Sequence, residues 1–420
     1  MAIGVLIIEV LILFVLQTLG ISARPNAFIC MLIMLFSFSY FIDINNNEDL
    51  LPTRGAFIQG YLLRLLLLFW DTYGRGIYVL PNLAADAEMF YRNALIVAAG
   101  GETNRGFFCY FLGFVFKYLG TSRLYAQFLL TLFSMVALHF GDKTMRLCLV
   151  DDKTRSQLMR VLCILPNFAI LSVGLIRESI VTMFVAISLF FFTCWIIKGK
   201  DYWLIWASGC IFLAMRFHSG VVAVLVAYIF ARLVYNKRRE SISFSLFNIL
   251  PTFILLIGVV FIINQYGDMF LGKFANVDSL ADLASTSALG GSSYAQYVGN
   301  SNNPLNMVIY TVPRIVFFLF SPMPFQWRGI ADIIAFFFSS LFYIVVSWRT
   351  IRYLRRSDIE NKAIVQMLFI VSFAATFVFA WGVSNAGTAA RHRDKMIILF
   401  GVMYALTKTK HVNEMITENY

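Results

Sequence analysis

Apolar runs long enough to cross a lipid bilayer recur along the whole chain, separated by short polar segments. They lack the regular apolar–polar alternation of a soluble core. The runs lie at 2–20, 27–43, 56–70, 123–141, 158–176, 178–197, 202–216, 218–235, 247–265, 329–348, 364–383 and 394–408. A spanning helix needs roughly 20 mostly apolar residues, because lipid cannot satisfy bare backbone polar groups. Two further stretches are less regular. The first, 106–120, is short and contains Lys117; the second, 306–321, carries Pro313 and Arg314 in its middle. The pattern predicts an all-α fold: a polytopic integral membrane helical bundle forming one transmembrane domain over 1–420, with outer loops at 71–122 and 267–328.

Charge orients the bundle. The residues are 60% hydrophobic and only 14% charged, with mean hydropathy +0.75 and net charge +11. The positive charge is gathered in short loops: Lys143 to Arg160, Lys198/Lys200, Lys237-Arg238-Arg239, and Arg349/Arg352/Arg355/Arg356/Lys362, with Lys408 and Lys410 in the tail. This is the pattern of cytoplasmic loops and does not point to nucleic acid. All of these loops fall on one side only if 106–120 and 306–321 do not cross. Both are therefore expected to be re-entrant or interfacial helices on the outer side, giving about 12 spans with both termini cytoplasmic. The first run, MAIGVLIIEVLILFVLQTLG, lacks a basic n-region and an A-x-A site and reads as a retained first span. The six cysteines show no CxxC or metal spacing and read as packing residues.

That orientation places most of the unusual polar residues on the outer side: Asp86, Glu88, Arg92, Glu102, Arg105, Arg177, Glu178, Arg216, His218, Arg314, Arg328, Arg391, His392 and Arg393. Charges at the membrane edge are costly and usually functional, so the set implies an outward-facing site.

Five segments carry the candidate chemistry. In GLIRESIV, Arg177 and Glu178 sit between two apolar runs; they read either as a salt bridge or as a phosphate-binding arginine beside its acid. In LAMRFHSG, Arg216 and His218 mark a second tight connection, where His218 suits general-base work or packing. In SNAGTAARHRDKM, Arg391 and Arg393 flank His392, a plausible diphosphate clamp or an anchor to lipid headgroups. In NLAADAEMFYRNALIVAAGG, Asp86 is either a base or the cap of a helix over 87–98, with Glu88 and Arg92 beside it. In LFSPMPFQWRG, Trp327 and Arg328 follow two prolines at an expected interfacial break, with Trp327 also suited to stacking on a sugar. The polar stretch 276–303 reads as a flexible outer loop or lid. No Walker motif, GxGxxG, HExxH or Cys/His metal set is present.

The segments GLIRES, RFHSG, SPMPF and NAGTAARHR, with DAEMFYRNALIVAAGG, resemble the Wzy-type and EpsG-type polysaccharide polymerases of bacterial O-antigen, capsule and exopolysaccharide systems, within GT-C-like membrane glycosyltransferases. The likeness runs over roughly residues 80 to 408, on short motifs. It implies an enzyme of the bacterial cytoplasmic (inner) membrane that joins undecaprenyl-diphosphate-linked oligosaccharide repeat units at its outer face, without a metal or other cofactor. Its partners would be the lipid-linked oligosaccharide, membrane lipids and a chain-length regulator protein. Under that resemblance Arg177, Arg216, Arg391 and Arg393 bind the diphosphates, and His218, Glu178 or Asp86 acts as base, with His218 favoured. Arg92, His392, Arg328 and Trp327 supply further substrate contacts. Three other readings stand beside it: a GT-C-like transferase using a polyprenyl-phosphate sugar with Asp86 as base, a flippase or transporter of the same lipid-linked glycan, and a membrane O-acyltransferase, for which no paired His/Asn or His/Asp signature is present.

Overall fold

The computed structural model describes residues 1–21, 25–236, 241–242, 292–299, 303–356 and 362–409. The expected span at 247–265, the basic run Lys237-Arg238-Arg239 and loop residues 267–291 lie outside the described residues. The fold is all-α; the described residues add a two-residue antiparallel pairing of β1 (Tyr235–Asn236) with β2 (Ser241–Ile242) and an isolated bridge between Ser293 and Asn385. Five helices are long and apolar enough to cross a membrane: Asn26–Asn46, Arg123–Leu147, Glu178–Lys198, Asp332–Leu354 and Lys362–Trp381. Six shorter apolar helices accompany them, and a bent pair forms a sixth candidate crossing. The protein is thus compatible with a multi-pass helical membrane protein. The chain divides into two compact units, 1–136 with 155–180 and 137–154 with 181–420.

The first unit contains α1 (Ala2–Thr18), α2 (Asn26–Asn46), α3 (Arg54–Phe69), α4 (Ala85–Ala98), α5 (Phe107–Leu119), the start of α6 (Arg123–Leu147), α7 (Asp152–Ile164) and α8 (Pro166–Val173). The expected outer loop 71–122 is largely helical, because α4 and α5 pack on each other as a hairpin. Asp86 lies inside the first turn of α4, whose N-cap is Ala84 with no side-chain cap. The expected capping role of Asp86 is therefore corrected. The expected span 158–176 is not one straight helix: it breaks into α7 and α8, bent by 55°. Pro166 supplies the reason, having no N–H with which to continue the ladder.

That break explains a buried charge. α7 ends at Ile164, leaving its last carbonyls without helical partners. Arg64 of α3, fully buried, donates through Nη1 to the Cys163 carbonyl at 2.7 Å and to the Gly60 carbonyl at 3.0 Å. Its Nε donates to Ser134 Oγ at 3.1 Å, and its guanidinium lies over the Phe168 ring at 5.1 Å. Gly60 permits this approach, since a Cβ there would sit 2.7 Å from Cys163 Cβ.

The second unit contains the rest of α6, α9 (Glu178–Lys198, from Val181 onward), α10 (Tyr202–Phe217), α11 (Val222–Val234), α12 (Ala295–Val298) and α13 (Pro304–Phe320). It continues through α14 (Ile330–Ala335), α15 (Leu341–Leu354), α16 (Lys362–Trp381), α17 (Ala386–Asp394) and α18 (Ile397–Leu406). A π turn over Phe336–Ser340 joins α14 to α15. α16 packs on α11, α13 and α18 and forms the centre of this unit. Pro313 is accommodated inside α13. The segment 292–294 lies against the N-terminus of α17: Tyr294 N donates to the Ser384 carbonyl at 2.8 Å, and Ala386 N to the Ser292 carbonyl at 3.0 Å. The described end of the expected lid is thus fastened rather than loose.

Candidate functional site

α17 is short, and its ends are fixed by its own sequence. The Asn385 side chain caps it by accepting from the N–H groups of Gly387 and Thr388, and its small residues let it sit among larger helices. Its last turn carries Arg391, His392 and Arg393, where cations complement the helix dipole. Successive helical residues point about 100° apart, so the three basic side chains cannot share one environment.

Arg393 turns inward and is fully buried. Its Nη1 donates to the carbonyls of Leu319 at 2.9 Å and Ser321 at 2.6 Å, its Nε to Ser339 Oγ at 3.1 Å, and its Nη2 to Ser339 and Ser340 Oγ at 2.9 and 3.1 Å. The guanidinium also lies over the Tyr343 ring. With its donors engaged this way, Arg393 stitches the end of α13 to the π turn, and its expected role in gripping a diphosphate is corrected to a structural one. Arg314 does similar work: it stacks on Trp381 at 4.5 Å and donates to Ser384 Oγ and to the Gly299 carbonyl.

His392 turns the other way and meets His218, the residue that ends α10. Their Nε2 atoms are 3.2 Å apart, with the rings edge to face at 84°. The Gly220 N–H donates to His218 Nδ1 at 3.2 Å. A backbone amide can only donate, so Nδ1 of His218 is an acceptor and its neutral ring carries the proton on Nε2. That proton points to Nε2 of His392, which is therefore the acceptor nitrogen of the pair. Phe379 of α16 packs against both rings, at 5.5 and 5.4 Å. Gly220 makes room for it, because a Cβ there would come within 2.5 Å of Phe379. Arg216 and Arg391, half-buried, lie two residues and one residue from these histidines.

The second unit thus brings together His218 and His392, with Arg216 and Arg391 adjacent in sequence. It places Trp327 and Arg328 in their own cluster. Trp327 Nε1 donates to the Pro322 carbonyl and its ring meets Phe336, while exposed Arg328 pairs with Asp332 at 3.5 Å and bonds Ser292. Asp86, Arg92, Arg177 and Glu178 belong to the first unit. There Arg92 is exposed, Arg177 half-buried and Glu178 buried. Among the described residues no group of three or more His, Cys, Asp or Glu could hold a metal ion.

The first unit also holds a network that the sequence reading missed. Buried Asp71, in a π turn over Trp70–Gly74, receives Arg75 Nη1 at 2.7 Å and Gln127 Nε2 at 2.6 Å, with Arg123 at 3.6 Å. Glu88 Oε1 receives Arg75 at 3.0 Å and Arg123 at 2.7 Å. Two acids and two arginines alternate, so their charges cancel and the α4 hairpin is fastened to the ends of α3 and α6. The Asp71–Arg75 spacing of four and a glutamine inside the apolar run of α6 were the signals available.

Compared with protein families, characterised proteins and solved structures, the chain matches no family model, and no characterised protein or solved structure matches it.

Proposed function

We propose that this chain polymerises undecaprenyl-diphosphate-linked oligosaccharide repeat units at the outer face of the bacterial cytoplasmic membrane, with about 12 spans and both termini inside. The observation that carries the reading is the His218–His392 pair at the end of the apolar helix α10, with Arg216 and Arg391 two residues and one residue away in the chain. The reaction attacks a sugar carbon bearing a diphosphate with a hydroxyl of the next unit. It needs a base for that hydroxyl and fixed positive charge for the departing diphosphate. Arg216 and Arg391 supply the charge, with guanidinium forks suited to phosphate oxygens. His392 Nε2 is the basic nitrogen: the substrate hydroxyl takes the place of the His218 N–H on it and gives it its proton, and His218, held by Gly220, orients the ring until then. This revises the base from His218 to its partner.

The test is the surface polysaccharide of a strain lacking the gene. A polymerase deletion leaves single repeat units on their acceptor, and restoring the gene restores the ladder. A deletion that abolishes even the single-unit product would sink this reading and favour a flippase.

A further inference from the structure

α1 is apolar from Ala2 to Leu16 except for Glu9, the one charged side chain among residues 2–18. The helix packs against α2 and α5, and Glu9 turns into the first unit with no exposure. Neither carboxyl oxygen has a hydrogen-bond partner among the described residues. Two buried phenols lie within its electrostatic reach, Tyr61 of α3 and Tyr125 of α6. Ser37 donates to the Ile33 carbonyl at 2.6 Å, so Tyr61 must donate to Ser37 at 2.7 Å, and the Tyr61 oxygen keeps acceptor capacity. The Tyr125 hydroxyl has no partner among the described residues.

Among the described residues, none pairs a countercharge with Glu9. The N-terminal ammonium at the start of α1 is held by Asp43 of α2 at 3.0 Å. Lys117 of α5 lies over Tyr118. Arg64 of α3 is fixed on Ser134, Gly60 and Cys163. The remaining titratable groups on the helices packed against α1, Cys30 and Tyr40 on α2 and Cys109 and Tyr110 on α5, are uncharged in their ordinary states. A lone buried carboxylate costs several kcal/mol, whereas the neutral acid needs only an acceptor. Ionisable groups at such positions mark proton or ion pathways in membrane proteins.

We propose that Glu9 forms a proton-binding site inside the first unit, holding its proton as a neutral acid. The site is separate from the histidine pair and stands whether or not the chain is a polymerase.

Infrared spectroscopy of the purified protein in lipid nanodiscs at about pH 7 decides it, because solvated carboxylates are ionised there and give no acid carbonyl band. The expected result is a protonated-acid band in the wild-type-minus-Glu9→Gln difference spectrum. Glu9→Asp, made with 13C-labelled glutamate, covers the case in which Glu9→Gln does not fold. The wild-type band shifts with the label, and in Glu9→Asp that shifted component disappears. A wild-type protein without an acid band at this pH, or a band unchanged by both substitutions, overturns the proposal.

Discussion

The Nε2 atoms of His218 and His392 stand 3.2 Å apart although 174 residues separate them in the chain. One proton lies between them, and Gly220 decides which ring owns it. In the proposed reaction the two residues are therefore unequal. His392→Gln removes the acceptor nitrogen, and turnover of a purified lipid-linked repeat unit should fall by about a hundredfold or more. His218→Gln keeps a donor at the same place and should lose less. A larger loss in His218→Gln than in His392→Gln would reverse the assignment.

The arginines of α17 should separate by role. Arg391→Lys and Arg216→Lys keep charge but lose the fork, so both should shorten the polysaccharide ladder while protein abundance stays normal. Arg393→Lys cannot reproduce the bonds to residues 319, 321, 339 and 340 and should lower the amount of folded protein, at a cost of about 3–5 kcal/mol. Fluorescence-detected size exclusion from membranes, run beside the ladders, measures both.

Asp71 and Glu88 offer a graded test of the first unit. The Asp71 side chain is buried and that of Glu88 is 35% exposed. Asp71→Ala leaves Arg75 and Gln127 facing an apolar surround and should destabilise the unit by about 3–5 kcal/mol. Glu88→Ala, which water can partly replace, should cost about 1 kcal/mol or less. Thermal unfolding in detergent compares them; equal losses would mean that Glu88 is as tightly held as Asp71.

Orientation in the membrane is checked by cysteine accessibility. Gly76→Cys is exposed, with open space around its Cβ, and should react with a membrane-impermeant maleimide in intact cells. Lys200→Cys is exposed in one of the basic loops that the proposed topology puts inside, and should react only after permeabilisation. The converse pattern would invert the topology.

The helices were legible in the sequence because lipid imposes one rule on every apolar run. Residues 178–197, for example, became α9 with its bounds nearly unchanged. Interruptions were less legible. Pro166 stood in plain view inside 158–176, but only packing shows that the helix breaks there rather than kinks. Asp86 looked like a cap because Asp caps well, yet α4 starts one residue earlier. Arg391 and Arg393 looked equivalent in RHR, and rotation about the helix axis makes one half-buried and the other a core residue. The histidine pair and the Asp71 network both depend on residues far apart in the chain, which no local spacing encodes.

The bond from Arg64 to the Cys163 carbonyl spans 99 residues, and that distance sets an order of biogenesis. α3 leaves the ribosome well before α7 and α8, carrying a guanidinium whose main acceptor has not yet been synthesised. Until residues 134 and 163 arrive, that guanidinium has only the Gly60 carbonyl of its own helix. Synthesis stalled before residue 163 should leave α3 extractable and protease-sensitive, and synthesis past residue 173 should lock it in place.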